Sequence, residues 1–267
     1  MRYMAPPDGD LRILPALMLS GAMLAGCKTP APPAPPAQIQ VAAASDLSLA
    51  FAELGKLFER RTGQQVSFSF AASGVLAKQL SQGAPFDLFA AANASFVDSA
   101  VKAGACDGSS KAAYARGHVV LWSKAGGAKL TSLSELAGAD IKRIAIANPE
   151  HAPYGKAARE ALIKAGVWSA IESKIVHAEN VRQALQFAQT GNADVALVAR
   201  SLVAQDHSGQ VLAVDEALHA PIEQTLVVCQ RGKNESGARA FAKLVESPEG
   251  QAVLQRYGFG SVEQAAK

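Results

Sequence analysis

Several residue types are scarce in this chain, and each scarcity removes a class of function. Only 18% of its residues are charged, the formal net charge is +3, and lysine and arginine are dispersed along 267 residues. Aromatic residues make up 6%, and no basic stretch is interleaved with them, so no nucleic-acid surface is expected. The five histidines, His118, His151, His177, His207 and His219, are scattered. His151 follows Glu150, but no second histidine stands at ligand spacing, which argues against a metal centre built from side chains. No serine sits in a Gly-x-Ser-x-Gly elbow, the turn that exposes a hydrolase nucleophile. The apolar run at 17–23 is too short to span a bilayer as a stable anchor.

What is present is alanine and aliphatic residue in quantity. Nearly half the chain, 49%, is hydrophobic, the balance of a soluble α/β protein with a sizeable core. The length suits one large or two modest domains.

The three cysteines differ in context. Cys27 ends Leu24-Ala25-Gly26-Cys27, after a leader with Arg2 and Arg12 ahead of its apolar run. That arrangement is a secretory signal, and its last four residues resemble the bacterial lipobox, in which the cysteine is acylated and becomes the first mature residue. Residues 1–27 are thus expected to be a lipoprotein signal through Cys27, anchoring the protein to a membrane from the periplasmic side. Residues 28–38 are rich in proline and alanine and are expected to be an extended spacer. Cys106 and Cys229 each lie among apolar residues, and the sequence leaves open whether they pair.

From residue 39 the pattern alternates between strand and helix, which indicates two mostly parallel sheets flanked by helices. Short apolar strands are expected at 39–42, 66–70, 87–91, 118–123, 143–147, 174–177, 194–199 and 222–230. After the first strand, apolar residues fall at Leu47, Ala50, Phe51, Leu54, Leu57 and Phe58, the spacing of one helical face. Ser45 is placed as the N-cap of that helix, Ser73 as the cap of the next, and Asn180 as the cap of 181–189. Pro149 and Pro153 delay another helix until about Tyr154. The chain divides on this reading into a first lobe at 39–117 plus 228–267 and a second at 118–227, joined by two crossing strands.

The helix starts at Ser45, Ser73, Tyr154 and Val181 all follow strand C-termini, the edge at which open α/β sheets bind ligands. Each offers backbone N–H groups and, at the serines, a hydroxyl, while none requires a lysine or arginine. Uncharged donors converging on one point suit a small anion.

These joints carry a family resemblance. Ala42-Ala43-Ala44-Ser45, Phe70-Ala71-Ala72-Ser73, Gly83-Ala84-Pro85-Phe86-Asp87-Leu88-Phe89, Asn148-Pro149-Glu150-His151-Ala152-Pro153-Tyr154-Gly155, Ala178-Glu179-Asn180-Val181-Arg182 and Arg256-Tyr257-Gly258-Phe259 are similar, in order, to blocks of the periplasmic molybdate-binding proteins of ABC importers. The resemblance implies a two-lobed type II binding-protein fold. It implies a monomer that closes on molybdate or tungstate, delivers it to a permease, and needs no cofactor and performs no catalysis. By position it implies hydroxyl and N–H donors from Ser45 and Ser73, and N–H donors from Tyr154 and Val181. All of these contact oxygen atoms of the anion and none contacts its metal. Some relatives place a ligand-contacting tyrosine where this chain has Ala199, and the Tyr154 hydroxyl is a candidate substitute. Asp46, in the first helical turn, is expected to point outward and complement the helix dipole. The competing functions are capture of sulfate or a phosphate-like anion and a serine hydrolase pairing Ser45 or Ser73 with His151.

Overall fold

The computed structural model describes residues 38–262. The expected leader, Cys27 and the spacer through residue 37 lie outside the described residues. Among the described residues no helix is long and apolar enough to cross a membrane.

The first half begins with β1 (Ile39–Ala44), a 3-10 turn at Ser45–Leu47 and α1 (Ser48–Thr62). It continues through β2 (Val66–Ala71), α2 (Ser73–Ser81), β3 (Leu88–Ala91), α3 (Ala94–Lys102) and β4 (Ala112–Gly117). The second half holds β5 (Val119–Lys124), β6 (Ile144–Ala147), α4 (Pro153–Lys164), α5 (Trp168–Ile171), β7 (Ile175–Ala178), α6 (Val181–Gln189), β8 (Val195–Ala199) and β9 (Gly209–Ala213). The chain then returns through β10 (Ile222–Val228) and ends in α7 (Glu235–Glu246) and α8 (Pro248–Arg256).

Two five-stranded sheets result, ordered β2-β1-β3-β10-β4 and β7-β6-β8-β5-β9. In the first, β1 pairs in parallel with β2 and β3, and β10 runs antiparallel to β3 and β4. In the second, β6 is parallel to β7 and β8, and β5 is antiparallel to β8 and β9. The parallel pairs come from the strand-helix-strand units that the sequence shows. The antiparallel pairs come from strands next to the passages between halves, so the sheets are mixed rather than mostly parallel. All of β10 lies in the first sheet, which puts the second passage between Ala213 and Ile222 rather than at the expected 227–228 boundary. The first passage between sheets is at His118, between β4 and β5.

The few aromatics are concentrated where helices meet the first sheet. Phe51 and Phe58 of α1 both meet the Phe241 ring of α7 edge-on, at 5.8 and 5.6 Å, a preferred arrangement for ring quadrupoles. Ala50, Phe51, Leu54 and Phe58 are buried, the stripe expected from their spacing. α1 stops at Gly63, whose φ of 71° is the left-handed conformation that glycine adopts without a Cβ clash. Cys106, after α3, and Cys229, after β10, form a buried disulfide. The pairing that the sequence left open thus ties two segments 123 residues apart.

Candidate anion-binding site

The parallel strands of each sheet end at the same edge, and the helices that follow them start there. α2, α4 and α6 begin at Ser73, Pro153 and Val181, and the 3-10 turn begins at Ser45. The first N–H groups of a helix have no partner within it, and at these starts most are accounted for by the protein. In α6, Asn180 Oδ1 accepts from the N–H groups of Arg182 and Gln183, each at 3.1 Å, which leaves Val181. In α4, Pro153 has no N–H and Lys156 donates to the Ala152 carbonyl, which leaves Tyr154 and Gly155. In α2, Gly74 donates to the His151 carbonyl at 2.9 Å across the two halves and Leu76 to the Ala72 carbonyl, which leaves Val75 and, near the strand edge, Ser73.

Residues from all four starts meet. Ser45, Ser73, Tyr154 and Val181 line one cavity, together with Ala44, Asp46, Ala71, Ala72, Ala92, Ala152 and Pro153. Its volume is about 10 Å³, roughly what one water-sized sphere requires. A wider cleft of about 530 Å³ shares Ser45 with it and carries Asn180, Arg182 and Gln183 on its wall. No lysine or arginine lines the inner cavity. Positive potential there comes from the aligned peptide dipoles of the helix starts.

Close packing fixes the geometry. A Cβ on Gly155 would stand 2.0 Å from the Ala147 carbonyl oxygen, so the first turn of α4 rests directly on the end of β6. At the other serine-bearing joint, Ser73 Oγ accepts the Ala92 N–H at 3.0 Å. A hydroxyl that accepts in this way keeps its own proton to donate. Ser45, by contrast, has no side-chain hydrogen bond among the described residues.

Four residues, Ser45, Ser73, Asp46 and Tyr154, are placed differently from what their sequence positions suggest. Ser45 and Ser73 are not caps: Ala44 and Ala72 occupy the N-cap positions, and neither serine bonds back to its own helix. The apolar small residues at the caps leave the serine hydroxyls for other partners. Asp46 does not point outward: it is 1% exposed and accepts from Gln224 Nε2 at 2.6 Å. It is drawn inward because the segment at Ser45–Leu47 is a 3-10 turn packed between the halves, with Ser201 Oγ donating to the Asp46 carbonyl at 2.8 Å. Finally, the Tyr154 hydroxyl is not available to replace a donor at Ala199. It lies where a Cβ on Gly117 would be, 2.0 Å away, in the buried neighbourhood of Asp46, Gln224 and Tyr114. Ala199 is itself buried and does not line the cavity.

Burial raises Asp46 to about 7, opposed by interactions with Tyr154 and Gln224. Burial, with the nearby Asp46 charge, pushes both Tyr114 and Tyr154 well above the usual phenol range. This polar cluster escaped the sequence reading because its members come from four distant segments. The available hint was Gln224-Thr225 inside an otherwise apolar strand, where both side chains are buried.

Neither serine hydroxyl is hydrogen-bonded to a histidine side chain among the described residues. His151 contributes its backbone carbonyl, which accepts from Gly74.

A model of the bacterial extracellular solute-binding protein family matches residues 39–260. The chain belongs to that family. Within it, the chain is 36% identical to the molybdate-binding protein ModA of Rhodobacter capsulatus, over 85% of this chain and 90% of that one. It is 35% identical to ModA of Azotobacter vinelandii over 90% and 94%. The solved periplasmic molybdate-binding protein of Azotobacter vinelandii superposes with a TM-score of 0.80 at 27% identity, covering 85% of this chain and all of that one. A putative ABC transporter substrate-binding lipoprotein of Bacillus subtilis, YvgL, is 32% identical over 83% and 85%. The extracellular solute-binding proteins of this group share the two-lobed type II fold that both sheets display here.

Proposed function

We propose that this protein captures molybdate, and tungstate as its near-equal in size and charge, in the cavity between the lobes and hands it to the permease of an ABC importer. The observation that carries this reading is the convergence of Ser45, Ser73, Tyr154 and Val181 on one small cavity with no cationic side chain. Relatives named as molybdate-binding proteins, matched over most of their length, supply the identity of the anion.

The physical logic is that of a dianion held by dipoles. Each hydrogen bond to a charged group contributes roughly 1.5–3 kcal/mol, and several act together in a site sealed from water. Helix starts and hydroxyls are fixed before the anion arrives, so little reorganisation opposes binding. A tetrahedral oxyanion is larger than the cavity as it stands, so entry requires the lobes to part and close again on the anion. The Gly74 to His151 bond is one contact that parting would break.

The remaining features of the reading follow from the leader and the family. The protein is held at the membrane through acylated Cys27, works as a monomer on the periplasmic side, and leaves its ligand chemically unchanged. Calorimetric titration with molybdate, tungstate, sulfate and phosphate tests the proposal. Stoichiometric, tight binding of the first two is expected, and preference for sulfate or phosphate would overturn the choice of ligand.

A further inference from the structure

One buried carboxylate stands beside the anion cavity with nothing positive to neutralise it. Asp46 follows Ser45 directly and lines the same cavity. It is 1% exposed, and no ion pair reaches it among the described residues. Its neighbours come from each element packed around it. From β10 comes Gln224, at 2.6 Å. Tyr154 comes from α4 and Tyr114 from β4, the titratable groups that face it. Ser201, beyond β8, bonds its carbonyl. Arg182 of α6 and Arg200 beside Ser201 are exposed, and Arg116 lies two residues beyond Tyr114 on β4.

Two features of this pocket fit a carboxylic acid better than a carboxylate. The 2.6 Å contact to Gln224 is short for N–H···O and ordinary for O–H···O. Gln224 Oε1, an acceptor, is buried with no hydrogen-bond partner. Half a turn of the Gln224 amide sets Oε1 where it accepts a proton from Asp46. A dianion bound to the adjacent Ser45 N–H would place like charge against an ionised Asp46 in a dry site, where Coulomb repulsion is strongly felt.

We propose that Asp46 takes up a proton when the oxyanion binds, so that the site captures one dianion together with one proton. The proton comes from solvent, ends on the Asp46 carboxylate facing Gln224, and leaves the anion fully ionised. A neutral Asp46 is also a weaker acceptor than a carboxylate for the O–H of a protonated anion such as hydrogen phosphate. This inference rests on the oxyanion reading of the site and assigns to it a specificity-determining residue.

The test is calorimetry of the purified protein with molybdate from pH 6 to 9, in pairs of buffers that differ in ionisation enthalpy. Sulfate, which stays a dianion throughout, serves as a second probe. Proton uptake per molybdate is expected to rise toward one across that range, and Kd to rise about tenfold per pH unit at its alkaline end. Asp46→Asn is expected to bind with no uptake and with a flat pH profile. Tight molybdate binding with no proton uptake and a constant Kd would overturn the inference while leaving the oxyanion reading intact. So would a slope that persists in Asp46→Asn. Failure of every oxyanion to bind at any pH would overturn both. If the variant does not fold, the proton count on the unaltered protein decides the matter alone.

Discussion

Asp46 makes the stability of the ligand-free protein depend on pH with a sign opposite to that of most acidic residues. Its carboxyl is raised from 3.8 to about 7 by burial, so the folded state holds a proton that the unfolded chain has already released. The group therefore costs nothing at pH 3, where both states are protonated. Its cost grows as pH rises from about 4 and is complete above about 7. A shift of about three units at roughly 1.4 kcal/mol per unit makes that cost on the order of 4 kcal/mol. Asp46→Asn removes it, since a neutral amide of nearly the same shape needs no proton. Thermal or urea unfolding at pH 5 and pH 8 reads the effect. The variant is expected to be modestly more stable at pH 5, where little more than a third of the cost has developed, and its advantage to be larger at pH 8 by about 3 kcal/mol, roughly 8 °C in Tm for a body of this size. Half-buried Asp107, lowered to about 2 by Ser109 and Arg239, acts in the opposite sense and loses its contribution only as pH falls below 4, outside the window. An Asp46→Asn gain that is equal at both pH values, or a loss at pH 8, would refute the reasoning.

The two serines should separate binding from stability. Ser45→Ala and Ser73→Ala are each expected to weaken molybdate binding by about 10- to 100-fold in Kd, the equivalent of one charge-assisted hydrogen bond. Only Ser73→Ala should also lower the Tm, because it strands the buried Ala92 N–H at a cost of about 1–3 kcal/mol. Gly155→Ala must push α4 off the Ala147 carbonyl, and calorimetry and melting should show both weaker anion binding and a loss of roughly 1–3 kcal/mol. Reducing Cys106–Cys229 should destabilise the fold by about 2–4 kcal/mol, read as a lower unfolding midpoint with reductant present.

Much of this architecture was written locally, and so could be read. Asn180 caps α6 as expected, Pro153 opens α4, and the apolar stripe of α1 is the buried one, because each depends on residues within one or two turns. β9 was not read, since Gly209–Ala213 is partly exposed and lacks a clear alternation. β4 does not stand out in sequence because Ala112-Ala113-Tyr114-Ala115-Arg116-Gly117 carries few strand-forming residues. The four candidate positions stand out in sequence because each lies where a strand end meets a helix start, and the structure places all four on one cavity. The interior fate of Asp46 was not legible. It depends on Gln224, 178 positions away, and a first-turn aspartate looks alike in sequence whether its helix start faces water or another lobe. The disulfide posed the same problem: two apolar-flanked cysteines 123 residues apart carry no sign of their separation in space.

The claim on which everything rests is that amide and hydroxyl protons alone, from Ser45, Ser73, Tyr154 and Val181, hold the anion. Diffraction from crystals grown with molybdate, recorded at the molybdenum absorption edge, locates the metal directly. The account predicts one strong anomalous peak in the inner cavity, with the anion's oxygens within hydrogen-bond distance of those four residues. A peak in the outer cleft beside Arg182, or one bound to a lysine or histidine elsewhere, would contradict it.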